Sequence, residues 1–310
     1  MLTQPLYAGV NAAALTPLCD DLAPDIPRLV ARCRHLLAAG CDGLGVLGTT
    51  GEATSFSVAE RVAVMEGLVA AGIPPERLLP GTGCAALTDT VALTNAARAL
   101  GIPGALVLPP FYYKNVPDDG LFAAYATLIE QTKGEVAIYL YNFPQMTGLP
   151  LSLALLERLL RAFPGVVRGI KDSSGDFANM RAMIAAFGAE GFEVYSGSDE
   201  FLLAILREGG AGCITACANV ASAASARVLA GFRAGDDPAA ERAQAVLTAA
   251  RRAATSVPLI AGLKALVARE TGDEAWERLR PPLTPLGAAD RARLFAAFDA
   301  AGLGDLAHAA

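Results

Sequence analysis

Val166-Val-Arg-Gly-Ile-Lys171-Asp-Ser-Ser-Gly-Asp176 reads as a short buried strand that runs into a polar loop and a helix start. Its last strand residue is a lysine. Burial disfavours an ammonium ion and favours the neutral, nucleophilic amine, so this position suits covalent chemistry better than solubility. Outward from it, the same unit recurs. Candidate strands are Gly9–Leu15, Gly43–Leu47, Leu78–Gly81, Ala105–Leu108, Val136–Tyr141, Val166–Lys171, Glu193–Ser196 and Gly212–Ile214. Their starts lie about 20 to 35 residues apart, the length of a strand, a helix and two loops.

The intervening segments carry helical periodicity. Ile26–Ala39 places Ile26, Leu29, Val30, Cys33, Leu36 and Leu37 on one stripe. Ala59–Ala71, Thr88–Leu100, Asp119–Gln131 and Leu153–Ala162 read similarly, and Ala39-Gly40, Ala71-Gly72 and Leu100-Gly101 are glycine stops. Eight such units predict an α/β chain closed as a (β/α)8 TIM barrel rather than an open doubly wound sheet. Strand signals stop near residue 219. Ala221–Ala234, Pro238–Thr255, Leu259–Glu270 and Ala289–Ala301 follow as helices, with the stiff stretch Pro281-Pro-Leu-Thr-Pro285 among them. The expected division is a catalytic barrel over residues 1–219 and a C-terminal helical bundle over 220–310.

The 310 residues are 53% hydrophobic and 18% charged, enough apolar material for a large core. Lysine plus arginine number 25 against 31 acidic residues, a net charge of -6, which argues against a nucleic-acid partner. No long apolar run predicts a membrane span, and Met1-Leu-Thr-Gln-Pro-Leu6 has no signal-peptide pattern. Cys19, Cys33, Cys41, Cys84, Cys213 and Cys217 form no CxxC pair, and His35 and His308 are the only histidines. Neither a metal site nor a disulfide framework is expected, and scattered thiols fit the cytoplasm. Gly43-Leu-Gly45-Val-Leu-Gly48 matches GxGxxG but lies inside a strand, so it reads as close strand packing rather than a nucleotide site.

Chemistry gathers at strand ends. Leu47-Gly-Thr-Thr-Gly-Glu52 sets Thr49 and Thr50 between glycines before a helix, where backbone N–H groups and hydroxyls suit a carboxylate. Helix capping is the bland alternative, and Glu52 reads as a structural acceptor. Tyr139 and Tyr141 share a strand face, with Tyr141 at the top of the strand neighbouring Lys171. Pro109-Pro-Phe-Tyr112-Tyr113 is an aromatic loop fit for a lid or an interface. Asp199 and Glu200 either cap a helix or bind substrate hydroxyls.

Gly48-Thr-Thr-Gly-Glu52, Tyr141-Asn-Phe-Pro with Thr147-Gly148, Gly169-Ile-Lys-Asp-Ser173 and Ser196-Gly-Ser-Asp199 resemble the signature blocks of the dihydrodipicolinate synthase/N-acetylneuraminate lyase family. The resemblance covers nearly the whole chain. It implies a homotetramer (a dimer of dimers) acting on pyruvate or another 2-keto acid, with no metal and no organic cofactor. It implies Lys171 as Schiff-base lysine, Tyr141 as proton relay along a chain with Thr49 or Thr50, and Thr49 and Thr50 as carboxylate holders. Tyr113, or its neighbour Tyr112, would reach an adjoining subunit's site. Gly197, Asp199, Glu200 and Thr215 complete the implied substrate-binding set. One departure is informative: the arginine that holds aspartate semialdehyde in the synthases proper is Met146 here. A thioether cannot pair with a carboxylate, a loss of roughly 2–5 kcal/mol. The expected activity is therefore reversible cleavage of a hydroxylated 2-keto acid, of the 2-keto-3-deoxy sugar acid or 4-hydroxy-2-oxoglutarate type. The synthase reaction and a sugar-acid dehydration are the alternatives.

Overall fold

A computed structural model describes residues 5–303 of the chain. Seven parallel strands form its sheet: β1 (Gly9–Ala12), β2 (Gly43–Leu44), β3 (Gly104–Val107), β4 (Ala137–Asn142), β5 (Val167–Asp172), β6 (Glu193–Ser196) and β7 (Gly212–Thr215). They are ordered β2-β1-β7-β6-β5-β4-β3. The two edges meet through the segment 78–82. Leu79 and Gly81 N–H groups donate to Leu44 and Val46, while Leu106 donates to Pro80 and Thr82 to Leu106, at 2.8–3.0 Å. These bonds and two parallel bridges put that segment in the eighth position of a (β/α)8 barrel. The segment expected as a third strand is thus present but too broken to count as one. Pro80 has no N–H to offer, so the ladder is interrupted at its middle. The glycines of the GxGxxG stretch pack closely: a Cβ on Gly43 would lie 2.3 Å from Asn11 Oδ1.

Alternation along each strand sorts the core into layers. Ile138, Leu140, Ile170 and Val194 face outward into the helices, whereas Tyr139, Tyr141, Tyr195, Leu106 and Ile214 fill the barrel. Helices begin where side chains take over the unpaired N–H groups. Ser57 and Glu60 make a capping box, and Asp176 accepts from Ala178 and Asn179 N–H. Below the strand ends, Glu193 closes the barrel interior. It accepts from Tyr139 Oη at 2.9 Å and Tyr195 Oη at 2.6 Å and pairs with Arg168 at 3.0 Å.

The last helices are Ala218–Ala234, Asp237–Thr255, Leu259–Thr271 and Ala288–Ala300. Their Leu247, Leu266, Leu294 and Phe298 share one apolar cluster with Val10, Leu44 and Leu68 of the barrel. A buried ion pair ties them to the turn after β2. Lys264 Nζ donates to Glu52 and, at 2.7 Å, to Arg278 O, while Glu52 Oε2 accepts from Arg280 N at 3.1 Å. Burial pulls the Lys264 pKa down, and the Glu52 charge opposes that shift.

Candidate active site

Lys171 stands in register between Tyr141 of β4 and Tyr195 of β6. It is 4% exposed, and its Nζ lies 4.4 Å from the centre of the Tyr141 ring. The Tyr141 ring stacks on Phe143 at 5.8 Å, which fixes the phenol's direction. Its hydroxyl is 3.5 Å from Thr49 Oγ1. The strands place these groups because parallel pairing brings neighbouring chains about 5 Å apart with matching faces.

The turn after β2 is held from several sides. Ala53 N–H donates to Gly48 O at 3.2 Å and Thr16 Oγ1 donates to Gly51 O at 2.8 Å. Glu52 adopts a left-handed φ of 56° and turns its carboxylate down to Lys264, leaving Thr49 and Thr50 facing Lys171's cavity. Asp172, next to Lys171, accepts from Asn142 at 2.9 Å, Asn179 at 2.7 Å and Ser174 N at 2.8 Å. Its carboxylate is therefore a brace for the loop. Gly197 lets β6 pass close: a Cβ there would lie 2.0 Å from Ser173 Oγ.

A cavity of about 620 Å³ is lined by Thr49, Thr50, Tyr141, Lys171, Gly197 and Glu200 together. Phe143, Met146, Leu259 and Ile260 add apolar wall. A larger, more open groove of about 930 Å³ runs among Ala245, Ala249, Ala253 and Ala297. It contains none of the strand-end groups Lys171, Tyr141, Thr49 and Thr50, so the smaller cavity is the chemically equipped one.

Four predicted residues lie elsewhere. Thr215 shares the outward face of β7 with Cys213, its Oγ1 3.8 Å from Cys213 Sγ, while Ile214 takes the interior. Asp199 is fully buried in the same outer layer, against Thr215, Cys217 and Arg251, and burial raises its pKa. Neither is among the residues that line the cavity: alternation along β7 turns Thr215 outward, and Asp199 sits in the short 3-10 turn Asp199–Phe201 after β6, with its carboxylate packed into the layer behind. Tyr112 and Tyr113 are 73% and 72% exposed, packed edge-to-face on each other, and touch no part of this cavity. Their loop is moored by Lys114 Nζ, which donates to Thr147 O at 2.7 Å.

The sequence reading missed Arg251. It belongs to the helix Asp237–Thr255 yet lines the cavity. Arg251-Arg252 within an alanine-rich helix carries no motif and looks like a solvated face. Among the described residues, no group of three or more His, Cys, Asp or Glu could hold a metal ion, and no helix is long and apolar enough to cross a membrane.

Residues 6–301 match the Dihydrodipicolinate synthetase family. The chain is 37% identical over 292 residues to an uncharacterized DapA-like lyase of Chloroflexus aurantiacus, covering 94% of this chain and 96% of that protein. It is 32% identical to the 4-hydroxy-tetrahydrodipicolinate synthase of Parasynechococcus marenigrum, covering 90% of each. Among solved structures it is similar to YagE, a prophage protein of the dihydrodipicolinic acid synthase family from E. coli K12 in complex with pyruvate. That match has a TM-score of 0.89 and 28% identity, and covers 96% of this chain and all of that one. The chain belongs to the dihydrodipicolinate synthetase family.

Proposed function

We propose that this member of the dihydrodipicolinate synthetase family reversibly cleaves a hydroxylated 2-keto acid into pyruvate and an aldehyde through a Schiff base on Lys171. Family membership makes it a lyase of the pyruvate-aldolase kind. The observation that supports this lysine is its setting: an amine at the head of β5, beside a phenol and a threonine pair, in one cavity. Thr49 and Thr50 hold the substrate's C1 carboxylate through hydroxyls and turn N–H groups.

The free amine of Lys171 attacks C2 of the keto acid, and loss of water leaves a protonated imine. That cation draws electrons toward C2. The C4 hydroxyl gives up its proton to the Tyr141–Thr49 relay, the C3–C4 bond breaks, and its electron pair forms the enamine as the aldehyde leaves. Protonation of C3 and hydrolysis of the imine then release pyruvate and regenerate the amine. Proton transfer by a positioned phenol contributes about 10²–10⁴-fold.

The synthase reaction is the second reading, favoured by relatives that carry that name. Met146 lies on the cavity wall at the position of the synthases' arginine, and its thioether opposes that reading. Incubation with pyruvate, reduction with borohydride and peptide mapping tests the core reading. An adduct at Lys171 is expected, and an adduct elsewhere or none would sink it. A panel of 2-keto acids coupled to a pyruvate-consuming dehydrogenase separates cleavage from condensation. The exposed Tyr112–Tyr113 pair fits a homotetramer in which one subunit's loop reaches its neighbour's site, which light scattering of the purified protein would test.

A further inference from the structure

The polar lining of the Lys171 cavity bears on the other half of the substrate. Its charged members are Lys171, Asp172, Glu200 and Arg251. The Asp172 carboxylate is taken up by Asn142, Asn179 and Ser174. Glu200 accepts from the exposed Arg252 Nε at 3.1 Å. Asp199, the other acid expected to read hydroxyls, is sealed in the layer behind. The acids on which recognition of a neutral polyol would rest are therefore already paired or sealed in the layer behind.

Arg251 is differently placed. Its side chain is 19% exposed and lines the cavity, and its only ion-pair partner among the described residues is Asp199 at 3.8 Å. That separation is beyond hydrogen-bond reach, and neither Asp199 oxygen makes a well-aligned hydrogen bond among the described residues. A guanidinium has five N–H donors in a planar fork matched to a carboxylate. The Cys217 thiol lies close enough to the guanidinium to feel its charge. Arg251 therefore presents N–H donors on the side that lines the cavity.

We propose that Arg251 is the specificity-determining residue for the distal end of the substrate, binding a second carboxylate carried by the aldehyde half. The preferred substrates are then 2-keto diacids with a hydroxyl at C4, and the aldehyde released is itself an acid. The inference rests on the Schiff-base reading, with Thr49 and Thr50 at the C1 carboxylate and Arg251 at the far one. It also accounts for Met146: the second carboxylate is met by the helix Asp237–Thr255 instead of the segment after β4.

The test uses imine trapping and needs no knowledge of the natural substrate. The full-length protein is titrated with 2-oxoglutarate or with 2-oxopentanoate, a five-carbon monoacid, under borohydride. The half-trapping concentration at Lys171 is read by mass and divided by that for pyruvate on the same preparation. In the unaltered protein 2-oxoglutarate should trap at about 10- to 100-fold lower concentration than 2-oxopentanoate, the range for one charge-assisted contact. Arg251→Gln should bring that ratio to near one, and Arg251→Lys should keep part of it. A ratio near one in the unaltered protein, or one that Arg251→Gln leaves intact, overturns the assignment while a pyruvate adduct upholds the Schiff-base reading. Absence of any adduct at Lys171 overturns both.

Discussion

Lys171 and Lys264 are both withdrawn from water, and they differ in what meets the amine. Lys264 faces a carboxylate: Glu52 and Lys264 form a fully buried pair, completed by Arg278 O and Arg280 N. Lys171 faces a phenol ring and a cavity, and among the described residues no carboxylate lies within ion-pairing distance of it. A buried amine engaged by a carboxylate and backbone groups has no open side for a carbonyl carbon and is chemically quiet. A buried amine with no counter-ion and an open side is available to a carbonyl carbon. The two lysines are alike in burial and differ in their partner, and it is that difference which fits one of them for attack on a carbonyl.

The sharpest way to break this comparison is to remove each amine and read both activity and stability. Lys171→Ala should reduce pyruvate release by about 10⁴-fold or more, as expected when a covalent nucleophile is lost. Its urea-unfolding midpoint should hold or rise. A large drop in stability would make Lys171 a structural lysine like the other. Tyr141→Phe keeps the ring beside the amine and deletes the hydroxyl. A fall in kcat of about 10²–10⁴-fold is expected, with the borohydride adduct still forming on Lys171. An unchanged kcat would take Tyr141 out of the proton path.

Lys264→Met should act the other way, costing roughly 3–5 kcal/mol in urea unfolding because it strands the Glu52 carboxylate. Adding Glu52→Gln should recover a good part of that loss, and a double-mutant cycle that shows simple additivity would argue that the pair is not coupled. The smallest effect is expected at Glu60, which pairs with Arg280 next to the same clamp. The Arg280 guanidinium, with Ser57, lowers its pKa from 4.5 to about 2. The pair's contribution is thus present above pH 4.5 and lost as the pH falls toward 2. Glu60→Gln should flatten the stability decline in that window, and a curve parallel to the unaltered protein would refute the assignment.

Much of this was legible in the chain. Buried parallel strands announce themselves as short apolar runs ending in small or polar residues, so β4, β5 and β6 lie within a residue or two of their expected bounds. The third strand was harder, since Pro80 breaks the ladder that the apolar residues suggest. The side chains of Lys171 and Tyr141 share the interior by simple alternation. The same alternation, counted from Ile214, turns Thr215 outward, a signal present in the sequence but outweighed by motif matching. Arg251 had no such signal. Its proximity to Lys171 arises only when the helix Asp237–Thr255 packs back over the barrel mouth, and no local pattern encodes that return.

The Glu52–Lys264 pair also orders events in time. Its members are 212 positions apart, and Glu52 directly follows the threonine–glycine turn proposed to hold the substrate carboxylate. Chains are made from the amino terminus, and domains begin to fold as they emerge. All eight barrel positions are therefore synthesised while Glu52 still lacks its cation, and a carboxylate sealed without one is costly. A polypeptide still on the ribosome would carry Lys171 well before the turn bearing Thr49 and Thr50 is locked in place. The last helices act as the latch that brings the enzyme into service.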